Sequence, residues 1–293
     1  MVDSALRRAI TGGRPLLLPG VYDALSARLA EQARFQAIYL SGSAVAMTLL
    51  GLPDIGLVTA TEIVEQARRV TEATTIPLVC DIDTGYGNPL NVGRTVRAME
   101  AAGVSGVQLE DQQFPKRCGH FDGKSVIAQD EMVMKIRAAL DARTSADLIL
   151  IARTDARAVL GLDVAIERAI AYREAGADII FVEAPDSIEE LGRIGKNVPG
   201  PLLVNVVEGG RTPQLSFDEY ASLGFTVILY PTAAVRAAAR TLSHFYRELK
   251  NVRSTLHLEH ALLGFEERNE VNDLASYITL EKRYATEDEK ART

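Results

Sequence analysis

Two short strings carry carboxylates at spacings that could do chemistry: Asp81-Ile82-Asp83-Thr84-Gly85-Tyr86-Gly87 and Leu109-Glu110-Asp111-Gln112. Each closes an apolar run, and the end of a buried run is where a chain opens onto a pocket in a parallel α/β fold. Asp81 and Asp83 lie two apart, which on one strand would turn both side chains to the same face, with Glu110 at the equivalent height on the next strand. Hard oxygen donors with no histidine among them favour Mg²⁺, or Mn²⁺, over zinc. The competing reading has the same acids capping the following helices or pairing with Arg153 and Lys116. Against it stands the sum of charge: acids end several runs, and so many cannot stay unpaired in one closed pocket.

The second chemical string is Lys116-Arg117-Cys118-Gly119-His120, in a loop running from about Asp111 to Gln129. A loop of that length with no evident element of its own reads as an active-site lid. Two cations and a histidine beside Cys118 favour its thiolate, so this thiol could exchange protons near neutral pH. Cys80, inside Leu78-Val79-Cys80, has instead the setting of an inert core cysteine.

Positioning such groups requires a frame, and the chain repeats one unit eight times. Apolar runs at Leu16–Pro19, Ala37–Ser41, Pro77–Asp83, Gly106–Glu110, Leu148–Arg153, Ile179–Glu183, Leu202–Asn205 and Thr226–Tyr230 are each followed by a segment with helical spacing, such as Ala60–Thr74 and Leu162–Ala175. Near-continuous apolar runs rich in Val, Ile and Leu, without regular alternation, suit strands buried on both faces. Eight βα units and no Gly-x-Gly-x-x-Gly after the first run favour an α/β chain of the (β/α)₈ TIM-type barrel class over an open doubly wound sheet. Residues 1–293 therefore read as one barrel domain. Helical character without a further strand continues past Ala233–Leu249, so that about 250–293 form a C-terminal helical extension suited to packing against another subunit.

The bulk properties exclude other classes. A net charge of −7 disfavours nucleic acid and anionic membrane as partners. No apolar run approaches the length of a membrane span, and two cysteines without a signal-like start point to a reducing, cytoplasmic location.

Taken together, Asp81-x-Asp83-x-Gly85-Tyr86-Gly87, Leu109-Glu110-Asp111-Gln112 and Lys116-Arg117-Cys118-Gly119-His120 resemble the isocitrate lyase/phosphoenolpyruvate mutase superfamily. The likeness extends to Tyr39-Leu40-Ser41-Gly42, Gly51-Leu52-Pro53-Asp54, Ala152-Arg153-Thr154-Asp155, the segment around Glu183, and Tyr230-Pro231. It is greatest for the short methylisocitrate lyases, alkylmalate lyases and carboxyphosphonoenolpyruvate mutases. The resemblance implies Mg²⁺ held near Asp81 and Asp83, with Asp54 and Glu110 contacting it through water. It implies that Ser41, Gly42, Ser43 and Arg153 hold the carboxylate of a 2-oxo acid product, that Glu183 and Asn205 line the pocket, and that Tyr39, Gly119 and His120 complete the substrate site. Cys118 would be the proton donor, with Arg153 and Glu110 also in the catalytic set. Arg236 and Arg268 resemble the pair with which methylisocitrate lyases hold the carboxylates of the succinate half, and a planar fork suits that task.

The implied reaction is cleavage of a small 2-hydroxy di- or tricarboxylate, 2-methylisocitrate to pyruvate and succinate or a related alkylmalate. The implied assembly is a homotetramer whose paired subunits exchange a C-terminal helix. Gln108, Ser43-Ala44 and Val182 depart from the methylisocitrate lyase pattern, which leaves the substrate open. A phosphonomutase, an oxaloacetate-cleaving hydrolase, or a barrel that only binds a metabolite are the competing readings.

Overall fold

All eight runs form strands in the computed structural model, which describes residues 5–119 and 123–286. They are β1 (Leu16–Val21), β2 (Ile38–Leu40), β3 (Leu78–Asp81), β4 (Gly106–Glu110), β5 (Ile149–Thr154), β6 (Ile179–Val182), β7 (Leu202–Asn205) and β8 (Val227–Tyr230). Neighbours in the chain are parallel neighbours in the sheet, and β8 returns to pair with β1 from Leu16↔Val227 to Pro19↔Tyr230, which closes the barrel.

Strand geometry sends alternate residues to opposite faces, and here both faces are apolar. Cys80, Val107, Leu150, Ile180, Val204 and Ile228 point outward into the layer shared with the helices. Val79, Ile149, Ile151, Ile179, Leu203 and Val227 point inward and fill the barrel. The same inward rows, continued by two residues, change character at their carboxyl ends: Val79 leads to Asp81, Ile151 to Arg153, Phe181 to Glu183 and Leu203 to Asn205. Apolar packing thus holds the lower barrel rigid, and one further step along each strand delivers a polar group to its upper rim.

The lower end is closed by a helix the sequence reading did not single out, Ala5–Thr11, whose Leu6 and Ile10 join the inner cluster. The helices Ala60–Ala73 and Leu162–Glu174 match expectation to within one residue. Gly176 takes φ +109°, and the N–H of Ala177 donates to the Tyr172 carbonyl at 3.2 Å, so the chain reverses where a side chain would be strained. A second departure from expectation follows β2, where the turn Gly42–Val45 runs into a π-helical turn, Ala46–Leu50.

The chain divides into two compact units, Met1–Arg236 and Ala237–Thr293. The first holds the whole barrel. The second holds the continuation of the helix Ala233–Val252, a 3₁₀ turn Leu256–Ala261, and the helices Phe265–Val271 and Leu274–Tyr284. Its surface carries the exposed side chains of Tyr246, Leu256, Phe265, Tyr277 and Tyr284. Among the described residues no helix is long and apolar enough to cross a membrane.

Candidate active site

The inward rows end around a cavity of about 240 Å³ at the carboxyl end of the barrel, lined in part by Tyr39, Asp81, Gln108, Cys118, Arg153 and Glu183. Register places the groups. Asp81 pairs with Gln108, Glu110 with Arg153, and Arg153 with Phe181, so the acids and the arginine stand side by side around the rim.

The two aspartates do not share a strand as the spacing predicts. β3 stops at Asp81, and Asp83 turns out at φ +48° while its N–H donates to Asp81 Oδ1 at 3.0 Å. A short carboxylate accepting from the backbone two residues on is a local alternative to strand pairing, and it bends the chain here. Both carboxylates nevertheless face Gly42: a Cβ there would lie 3.2 Å from Asp81 Oδ2 and 3.4 Å from Asp83 Oδ1. Glu110 aligns with Asp83 instead of Asp81, its N–H donating to the Asp83 carbonyl at 2.9 Å.

None of these acids caps a helix, but the pairing part of the competing reading is present. The Lys116 ammonium pairs with Asp54 and stands 2.8 Å from Asp83 Oδ1, and it is almost wholly buried. Burial opposes its charge, yet the carboxylates of Asp83 and Asp54 hold its pKa well above the ordinary value. Arg153 Nε lies 2.9 Å from Asp155 Oδ2, 3.3 Å from Glu110 Oε2 and 3.8 Å from Glu183 Oε2, with its guanidinium over the Phe181 ring. Asp155 is a site residue to which the sequence reading gave no role.

Even so, the acids outnumber their partners. Burial, joined by the charges of Asp81 and Asp54, pushes the Asp83 carboxyl up to about 6 against the pull of Lys116. Burial likewise raises Glu110 well above its usual range although Arg153 lies alongside, and Glu110 Oε1 has no hydrogen-bond partner. Among the described residues no three acids, histidines or cysteines converge as a ligand set, and the Lys116 ammonium stands against Asp54 and Asp83. Excess buried negative charge and an orphaned carboxylate oxygen fit a divalent oxygen-seeking cation, which would relieve both.

The remaining expected residues fall as follows. Ser41 follows β2 directly and its hydroxyl accepts from the Ala44 N–H at 3.3 Å, capping the turn in which Gly42 and Ser43 stand. The first N–H groups of such a turn have no partner within it and are open to an anion. Tyr39 is buried, its hydroxyl raised well above its ordinary pKa by burial and then by Asp81. Asn205 Nδ2 lies 3.4 Å from both oxygens of Glu183. Arg236 lines the cavity, while its Nη1 donates to the Glu208 carbonyl at 2.8 Å and reaches Glu208 Oε2 at 3.0 Å. Arg268 lies in the second unit, with its guanidinium stacked 4.4 Å over Phe265. His120 lies outside the described residues.

The loop after β4 is held by an antiparallel bridge between Gln112 and Val126, which periodicity had not indicated. It brings Cys118 to the cavity wall, where the Cys118 N–H donates to the Asp54 carbonyl at 3.2 Å. Cys80 is buried on the outer face of β3, and burial raises its thiol well above the ordinary pKa. Gly119 meets the floor of the site with bare backbone, since a Cβ there would overlap Glu183 Oε1 and Arg153 Nη2. Gly119→Ala should therefore keep the fold but lower turnover by about 10²-fold, the scale of a misplaced catalytic group. Circular dichroism and steady-state rates check this, and an alanine variant at wild-type rate would show that the loop need not seat here.

Comparison with known proteins gives a consistent picture. The pattern of the phosphoenolpyruvate phosphomutase family matches residues 6–250. The chain is 43% identical over 281 residues to a 2,3-dimethylmalate lyase of Eubacterium barkeri, covering 96% of this chain and 97% of that protein. It is 43% identical over 275 residues to a 2-methylisocitrate lyase of Bacillus subtilis (strain 168), covering 94% and 89%. Among solved structures, a phosphonopyruvate hydrolase in complex with oxalate and Mg²⁺ superposes with TM-score 0.87 at 32% identity, over 96% of this chain and 98% of that one.

Proposed function

Because the chain belongs to the phosphoenolpyruvate phosphomutase family, we propose that it is a Mg²⁺-dependent carbon–carbon lyase acting on a small 2-hydroxy di- or tricarboxylate, an alkylmalate or 2-methylisocitrate. The observation that carries this reading is the placement of Cys118 on the wall of a cavity whose floor presents Arg153 and a surplus of buried carboxylates. A binding protein has no use for a proton donor set opposite a carboxylate-binding arginine.

Asp81 and Asp83 would hold Mg²⁺, with Asp54 and Glu110 contacting it through water, and the bound ion would supply a positive charge for the oxygen atoms that gain charge on cleavage. The protein's own groups do the rest. Arg153 binds and orients the carboxylate of the 2-oxo acid half, together with the Ser41 hydroxyl and the N–H groups of Gly42 and Ser43. A base takes the proton of the substrate hydroxyl, the carbon–carbon bond breaks, and the electron pair leaves on the carbon beside the other carboxylate. The Cys118 thiol gives its proton to that carbon. Gly119, seated on Arg153 and Glu183, keeps water from reaching the carbanion first.

A substrate panel tests the reading. Incubation with Mg²⁺ and alkylmalates, 2-methylisocitrate or oxaloacetate should release a 2-oxo acid from one of the first two, read by lactate dehydrogenase coupling or mass spectrometry. The family pattern also admits a second reading, rearrangement at a P–C bond. Turnover of a phosphonate with none of the hydroxy acids would establish that reading in place of the lyase. The exposed aromatic and aliphatic side chains of the second unit favour packing against another subunit, the family resemblance makes the proposed assembly a homotetramer, and the composition favours a cytoplasmic enzyme.

A further inference from the structure

Lys124 follows Gly119 by five residues, and only 2% of its side chain is exposed. Its ammonium donates to the Gly119 carbonyl and, at 3.0 Å, to Asp155 Oδ1, on a side chain with no exposed surface. An ammonium taken out of water to this degree is retained only where acceptors replace its hydration. Here they are a loop carbonyl and an acid at the end of β5.

Asp155 is itself fixed from several sides. It accepts from Arg153 Nε at 2.9 Å and Nη2 at 3.1 Å, and its N–H donates to Asp111 Oδ1 at 2.8 Å. Asp111 in turn accepts from Thr154 Oγ1 at 2.7 Å, Tyr172 OH at 2.8 Å and Arg168 Nη1 at 3.0 Å. A carboxylate so anchored does not follow a loop; the loop must come to it. What Lys124 ties to this anchor is the carbonyl of the residue after Cys118. The same Asp155 carboxylate orients Arg153.

We propose that Lys124 is a positioning residue for the Cys118 thiol: by binding the Gly119 carbonyl to Asp155, it sets Cys118 in register with Arg153. The inference rests on Cys118 being the proton donor. Lys124 does not line the cavity, so its removal acts through the Gly119 carbonyl and Asp155 and not through a direct substrate contact.

The test is a double-variant cycle on the full-length, Mg²⁺-loaded enzyme with the substrate found by the panel. Lys124→Met should lower kcat by roughly 10- to 100-fold with KM changed by less than about threefold, the pattern of a transition-state group out of place. If Lys124 works through Cys118, Lys124→Met/Cys118→Ser should be no slower than Cys118→Ser alone, since groups acting as a unit are not additive. Mg²⁺ with oxalate should slow iodoacetamide modification of Cys118 in the wild type and much less in Lys124→Met. Lys124→Gln, which keeps an N–H donor and loses the charge, serves if the methionine variant does not fold. A Lys124 variant at near wild-type rate overturns the proposal, and so does a double variant whose losses multiply. Cys118→Ser at near wild-type rate overturns the proton-donor reading beneath it, which keeps the two failures distinct.

Discussion

Chelation with EDTA should abolish turnover, and Mg²⁺ or Mn²⁺ should restore it. The expectation follows from the site's own charge. Burial drives Asp83 and Glu110 toward protonation in spite of Lys116 and Arg153, which means the pocket lacks positive charge. A divalent ion that binds the folded chain also stabilises it, by an amount that grows with the logarithm of its concentration over Kd and reaches about 2.7 kcal/mol at roughly 100 times Kd. Mg²⁺ should therefore raise the thermal midpoint as well as the rate. Asp81→Ala should lose both responses while remaining folded, because Asp81 sits above the apolar layer that holds the barrel. Full activity in thoroughly chelated enzyme, with no Mg²⁺-dependent shift of the midpoint, would remove the metal from the proposal.

Cys118→Ser should lower turnover by about 10²-fold or more, the usual scale for a positioned general acid, because a hydroxyl is a far weaker acid than a thiol. Binding of Mg²⁺ and of oxalate should change little, since neither depends on the thiol. Stability should also hold, for Cys118 is only partly buried and makes no disulfide. Iodoacetamide should modify Cys118 and spare Cys80, which lies in the core with its thiol pKa raised. A serine variant at near wild-type rate would make Cys118 structural and send the search for the donor to Tyr39, Glu183 or water.

The frame was legible because most barrel strands are buried on both faces and so read as near-continuous apolar runs, as in residues 149–152 and 227–229. The rim residues were legible for the converse reason: Asp81, Arg153, Glu183 and Asn205 are the first polar groups after such runs, and Glu110 closes the run that Gln108 interrupts. What local pattern does not encode is which distant charge meets which. Lys116 belongs to Asp54 and Asp83, Lys124 to Asp155, and Arg168 to Asp111. Nor does spacing reveal that Asp81 turns the chain by accepting from the Asp83 N–H, which ended β3 early. The Ala5–Thr11 helix was within reach, since Leu6 and Ile10 stand four apart on one helical face, and so were Ser187, which caps the helix Ile188–Asn197, and Ser216, which caps the helix Phe217–Ser222.

A sheet joined to itself has no unpaired border. An open sheet must guard its outermost strand against pairing with other chains, and a loop altered near that strand risks exposing it. Here no strand is outermost, so the segments above the barrel can be rewritten without uncovering a template for aggregation. That freedom gives a physical reason why chains as alike in backbone as this one and the phosphonopyruvate hydrolase share only a third of their residues, and why proteins of one frame carry names for different reactions.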